Sequence, residues 1–171
     1  MRLITNLNSS QEDFEKRLRY ECEPVDRVTD SLKTIAVDLV ARMYLSNAIG
    51  LAANQVGLKI RLCALDPAWM HGKRMPIVMF NPEIVECGEE LFQAPEGCLS
   101  LPDFGLKVPR FRNVKVTFLG LDNREYTIED DNTLLSSVLQ HEIDHLNGVL
   151  MTDKTIEGVG IEYKDDIVKG E

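Results

Sequence analysis

The 171-residue chain is long enough for one sizeable core and too short for two independent ones, so a single domain over 1–171 is expected. Hydrophobic residues make up 44% and charged residues 27%, which excludes a disordered or collagen-like chain. Lys and Arg total 19 against 28 Asp and Glu, and the net charge of -9 repels phosphate backbones and anionic lipid heads, so no nucleic acid partner is expected.

The N-terminal stretch MRLITNLNSSQEDFEKRLRYE shows no long apolar core behind a basic start, so no export signal is expected. No run elsewhere approaches the ~18 apolar residues that span a bilayer, so no membrane partner is expected either. In a reducing cytosol Cys22, Cys63, Cys87 and Cys98 are read as thiols.

The first predicted element is a helix between Asp30 and Ser46. Leu32, Ile35, Ala36, Leu39, Val40 and Met43 make one apolar stripe, and Thr29 or Asp30 caps the start. AIGLAANQVG follows, Ala48 to Gly57, where small residues allow close backbone approach. Lys59–Leu65 and Pro76–Val85 read as strands joined by the loop DPAWMHGKR, in which His71 is expected to be solvated. PDFGLK, Pro102 to Lys107, reads as a loop. VKVTFLG and REYTIE flank LDN, Leu121 to Asn123, and predict a hairpin. The middle of the chain is thus mainly antiparallel sheet.

Asn132 or Thr133 opens a second helix with Leu134, Leu135, Val138, Leu139, Ile143 and Leu146 apolar, and Gly148 stands at its left-handed cap. From about residue 152 a short, glycine-spaced, non-helical tail is expected.

The second helix carries QHEIDHLNG, Gln140 to Gly148. Residues four apart on a helix differ by about 40° in direction, so His141 and His145 can reach one ion. Glu142, about 100° round from His141, can face water without ligating. Such hydrolases need three protein ligands and one open position. A downstream histidine is one source of the third ligand, but Met151 occupies that place. Glu157 and Glu162 are further candidates, although the glycine-rich tail offers no helix to hold them. The upstream candidate is Cys98 in EGCLS, Glu96 to Ser100, whose thiolate suits iron or zinc. A lone cysteine is ordinarily a small buried hydrophobe, the role expected of Cys22, Cys63 and Cys87.

Three stretches in order, IGLAANQ at Ile49 to Gln55, EGCLS and QHEIDHLNG, together resemble the signature motifs of the peptide deformylase family. The similarity extends from the first helix through Leu150 and includes VPR at Val108 to Arg110. It implies an α+β fold with antiparallel sheets packed around a central helix carrying HExxH. It also implies removal of the N-formyl group from formylmethionyl peptides with release of formate.

By the same resemblance Cys98, His141 and His145 ligate a divalent metal, with ferrous iron native and zinc, nickel or cobalt as substitutes. Glu142 becomes the general base, and Gln55 with the Leu99 N–H holds the oxyanion. Ile49, Gly50 and Gly97 pair with the peptide main chain, and Leu134, Val138 and Ile49 line the methionine pocket. Arg110 and Asp144 are expected to form a buried pair behind the site.

Three departures stand out. Ala48 replaces a usual glycine, PDFGLK lacks a basic residue that some relatives carry, and no C-terminal helix for ribosome docking is recognisable. A cytoplasmic setting, bacterial or that of a viral host, fits the sequence, as does an organellar stroma or matrix.

Overall fold

The amphipathic stripes and alternating strands of the sequence assemble, in the computed structural model, into three helices and eight strands over the described residues, 1–5, 8–130, 133–154 and 162–163. The helices are α1 (Gln11–Leu18), α2 (Asp30–Leu45) and α3 (Thr133–Leu146). The strands are β1 (Gly50–Ala52), β2 (Leu62–Leu65), β3 (Ile77–Cys87) and β4 (Leu91–Cys98), then β5 (Leu101–Phe111), β6 (Val114–Leu119), β7 (Glu125–Asp130) and β8 (Glu162–Tyr163). They form a five-stranded sheet in the order β1-β2-β3-β6-β7 and a three-stranded sheet in the order β4-β5-β8. Every neighbouring pair in both sheets is antiparallel.

α3 packs between the two sheets, against β1, β2 and β3 on one side and β4 and β5 on the other. β2 is buried along its whole length because it has helices on both faces. Cys63 and Leu65 join the α3 core with Leu139 and Leu146, while Leu62 and Ala64 meet Leu39 and Met43 of α2. Leu39 and Met43 are fully buried, each worth about 1.5–3 kcal/mol. Thr29 Oγ1 accepts the Leu32 N–H and caps α2. In β6, Val114, Val116 and Phe118 face inward and alternate with partly exposed residues, the period-2 pattern of a half-buried strand. Its hairpin to β7 turns on Asn123 at φ 64.

α3 ends where expected, for two reasons. Gly148 has φ 72, and a Cβ there would lie 2.8 Å from the Arg19 carbonyl carbon.

Several expectations need correction. α1 was not legible in the N-terminal stretch: it is only eight residues long, and Phe14 and Leu18 are its buried residues. PDFGLK is not a loop but the middle of β5, where its backbone is held by β4. Cys87 is not a buried hydrophobe; it ends β3 and is exposed. His71 is exposed as expected, although it ends a short 3-10 helix over Pro67–His71 where a plain loop was expected. Of the tail expected to be non-helical, Met151–Lys154 makes a 3-10 turn and Glu162–Tyr163 pairs with β5; residues 155–161 and 164–171 lie outside the described ones. No helix among the described residues is long and apolar enough to cross a membrane.

Candidate active site

Cys98 closes β4 at a register shift against β5, and His141 and His145 lie on successive turns of α3 beside it. The two imidazole Nε2 atoms are 3.2 Å apart, Cys98 Sγ is 3.3 Å from His145 Nε2, and all three donor atoms lie within 4.8 Å of one another. Around one tetrahedral ion with nitrogen at about 2.0–2.1 Å and sulfur at about 2.3 Å, neighbouring donors stand roughly 3.3–3.6 Å apart. The donor set therefore fits a single ion. Of the other sources considered, Met151 is buried in the core beside Leu150, Glu162 pairs through its backbone with Gly105, and Glu157 is outside the described residues.

Electrostatics agree with a ligand set. Burial opposes charge on Cys98, but His145 and His141 beside it outweigh that and hold its thiol well below the ordinary range. His141 is raised well above its usual value: burial works against this, and Cys98 and Glu96 overcome it. His141 Nδ1 bonds Glu96 Oε2 at 2.8 Å, which leaves Nε2 aimed at Cys98 and His145.

Glu96 in turn meets Arg110, which is 1% exposed, through Nε at 2.6 Å and Nη2 at 3.0 Å. Arg110 Nη1 bonds Asp144 Oδ2 at 2.5 Å, and Lys154 Nζ lies 3.0 Å from the other Asp144 oxygen. Sequence reasoning missed Glu96, since its partners stand 14 and 45 residues away and leave no local signal. Asn54 was missed too. Fully buried, it donates through Nδ2 to the His145 carbonyl at 2.5 Å and ties the last turn of α3 to the segment carrying Gln55.

Glu142 is buried with Oε2 unpartnered among the described residues. Burial pushes its carboxyl up to about 7, partly offset by His141 and His145. Gly50 passes directly beneath it: a Cβ at that position would stand 2.2 Å from Glu142 Oε1, so any larger residue would displace the Glu142 carboxyl. Gln55 Oε1 accepts the Ala52 N–H at 2.9 Å, which turns its amide nitrogen toward Cys98 Sγ at 3.6 Å and Ser100 Oγ at 3.2 Å. The left-handed turn before β1 falls on Asn47, at φ 53, and not on Ala48.

A cleft of about 550 Å³ opens onto these groups. Among the described strands β1 and β4 are each at the edge of their sheet, and Ile49, Gly50 and Gly97 all line the cleft. Leu134, Val138 and Leu99 line it as well. The sequence matches the family described as Polypeptide deformylase over residues 10–158. The chain belongs to the polypeptide deformylase family.

It is 42% identical over 139 residues to a peptide deformylase of Afipia carboxidovorans, covering 81% of each chain. Among solved structures it is similar to a peptide deformylase from Synechococcus elongatus in complex with actinonin. The TM-score is 0.83 and the identity 34%, over 92% of this chain and 82% of that one. A probable peptide deformylase from Synechococcus phage S-SSM7 matches with TM-score 0.80 at 32% identity, over 91% of this chain and 99% of that one. As a polypeptide deformylase the chain is a metal-dependent hydrolase that removes the N-formyl group of nascent polypeptides. Two residues lining this deformylase's cleft, Trp69 and Met70, sit in the β2–β3 connection, where no motif marked them.

Proposed function

We propose that Cys98, His141 and His145 hold one ferrous ion, and that Glu142, Gln55 and the Leu99 N–H perform deformylation beside it. The observation that carries this reading is the convergence of one sulfur and two imidazole nitrogens on one point, with an unpaired buried carboxylate on the same cleft. Thiolate with imidazole suits iron, zinc, nickel and cobalt alike. When bound, such an ion polarises the formyl oxygen and lowers the pKa of water by several units.

The chain's own groups supply the rest. Glu142, buried on the cleft beside the ligands, takes the proton of the attacking water and passes it to the departing methionine amine. Gln55 Nε2, locked by the Ala52 N–H on its other side, and the Leu99 N–H are positioned as donors to the developing oxyanion. The peptide lies as an added strand between Ile49–Gly50 and Gly97, beside β1 and β4, which are edge strands among the described residues. Ile49, Leu134 and Val138 offer the methionine side chain an apolar wall, and Arg110 with Asp144 and Glu96 holds α3 and β4 together behind the ligands.

The net charge of -9 disfavours binding to rRNA, so the chain meets the ribosome by another route or by diffusion. It acts in the cytoplasm of a bacterium or of a viral host, or in an organellar stroma or matrix, wherever chains begin with formylmethionine. Anaerobically iron-loaded protein should release formate from an N-formylmethionyl tripeptide and leave unblocked peptides intact. Internal cleavage of unblocked peptides without formate would replace this reading with that of an endopeptidase on the same helix.

A further inference from the structure

The connection between β2 and β3 is more ordered than a hinge would be. Asp66, fully buried, accepts the Tyr44 hydroxyl at 2.5 Å, the Met75 N–H at 2.7 Å and the Trp69 N–H at 3.2 Å. Pro67 sets the start of the 3-10 turn that follows, and Gly72 closes it at φ 74. The Trp69 ring meets Tyr44 edge-on with centroids 5.5 Å apart, and the Arg74 guanidinium lies 5.0 Å over the other ring's centroid. Trp69 is held on this platform partly exposed, and Met70 beside it is 63% exposed. Both line the cleft.

Strand register says which part of the cleft. Gly50 stands opposite Leu65, and the Asp66 N–H bonds the Ile49 carbonyl at 2.8 Å. The chain after Asp66 therefore runs level with Ala48 and Asn47, moving away from Gly50 and Glu142. Each strand residue advances about 3.3 Å. A peptide paired beside β1, with its formyl group at Glu142, brings the one or two residues after methionine level with Trp69. Apart from Glu96, Cys98, His141 and Glu142 at the chemical end, the described lining of the cleft carries no charged side chain, and Pro102 and Leu99 line it too.

We infer that Trp69 and Met70 are specificity-determining residues for the two positions that follow the formylmethionine, selecting apolar side chains there. This rests on the deformylase reading above. Trp69 gives a fixed aromatic face and Met70 an unbranched thioether that adapts to different apolar shapes. Charged residues at those positions lose water against this wall, which itself offers them no opposite charge.

Trp69 is the chain's single tryptophan, so it reports on its own site. The zinc-loaded Glu142→Gln protein is titrated with N-formyl-Met-X-Ala and N-formyl-Met-Ala-X peptides, X being Leu, Phe, Gly, Lys or Glu, while tryptophan emission is followed. Emission should shift with saturable binding for X as Leu or Phe, and more weakly for Gly, Lys or Glu. In parallel, kcat/KM of the iron-loaded parent protein should favour Leu or Phe over Glu on the order of tenfold in at least one series. Met70→Ala, at an exposed position, and Trp69→Ala should flatten that ratio, whereas a merely structural role would lower all peptides together and leave it unchanged. Flat profiles in both series, or unaltered ratios in both variants, overturn the inference alone. Absence of formate from every peptide overturns the deformylase reading and the inference with it.

Discussion

Replacing Glu96 by alanine removes three hydrogen bonds at once, two from Arg110 and one from His141 Nδ1. Arg110 stays buried, with Asp144 as its remaining partner, and its desolvation is no longer offset. Breaking a buried ion pair from one side costs about 3–5 kcal/mol, which in a chain of this size lowers the melting temperature by roughly 10 °C. The effect on the metal is separate. His141 loses the acceptor that fixes which ring nitrogen faces Cys98, and losing such a partner weakens metal affinity about 10- to 100-fold. Glu96→Gln keeps the shape and one acceptor oxygen but sets an amide N–H₂ against donors, so it should fall between wild type and Glu96→Ala. Thermal unfolding of metal-free protein reads the first effect, and competition with a chelating dye for zinc reads the second. Zinc affinity within about twofold of wild type, with an unchanged melting temperature, would refute the role given to Glu96.

Further outcomes follow from the same geometry. Gln55→Leu should bind metal normally yet lose about 10²- to 10³-fold in kcat, since it removes one oxyanion donor; steady-state kinetics alongside metal analysis will tell. Gly50→Ala should depress turnover because its Cβ would collide with Glu142 Oε1, and the overpacking should cost about 1–3 kcal/mol by urea unfolding. In metal-free protein the Glu142 carboxyl is raised from 4.5 to about 7 by burial. Below about pH 4.5 it is protonated in folded and unfolded chains alike and its contribution is fully present; that contribution is lost as pH rises toward 7. Glu142→Gln should therefore match metal-free wild type at acid pH and exceed it by up to about 3 kcal/mol at pH 8, whereas a difference independent of pH would contradict the buried-charge argument. A maleimide should modify exposed Cys87 in the native holoprotein well before Cys22, which is buried with its thiol pushed up to about 11 by burial, as mass spectrometry of the digest can show.

The parts of the fold visible in the sequence were those fixed by local physics. α2 and α3 announce themselves by apolar stripes, Gly148 by a backbone angle other residues resist, and the β6–β7 hairpin by Asn123. β5 was hidden because Pro102 and Gly105 imitate a loop, while the pairing that holds them comes from β4. α1 was hidden because two buried residues are too few to make a stripe. Motif spacing brought forward the ligand candidates and Glu142. The resemblance also brought forward the Arg110–Asp144 pair, but nothing local revealed Glu96 between Arg110 and His141 or the Trp69 platform, since both depend on register between distant strands.

X-ray absorption at the metal edge of the iron- or zinc-loaded protein bears most directly on the central claim. One sulfur at about 2.3 Å with two imidazole nitrogens at about 2.0–2.1 Å and a lighter oxygen is expected, and Cys98→Ser should lose the sulfur shell alone. A wild-type spectrum without sulfur would contradict it.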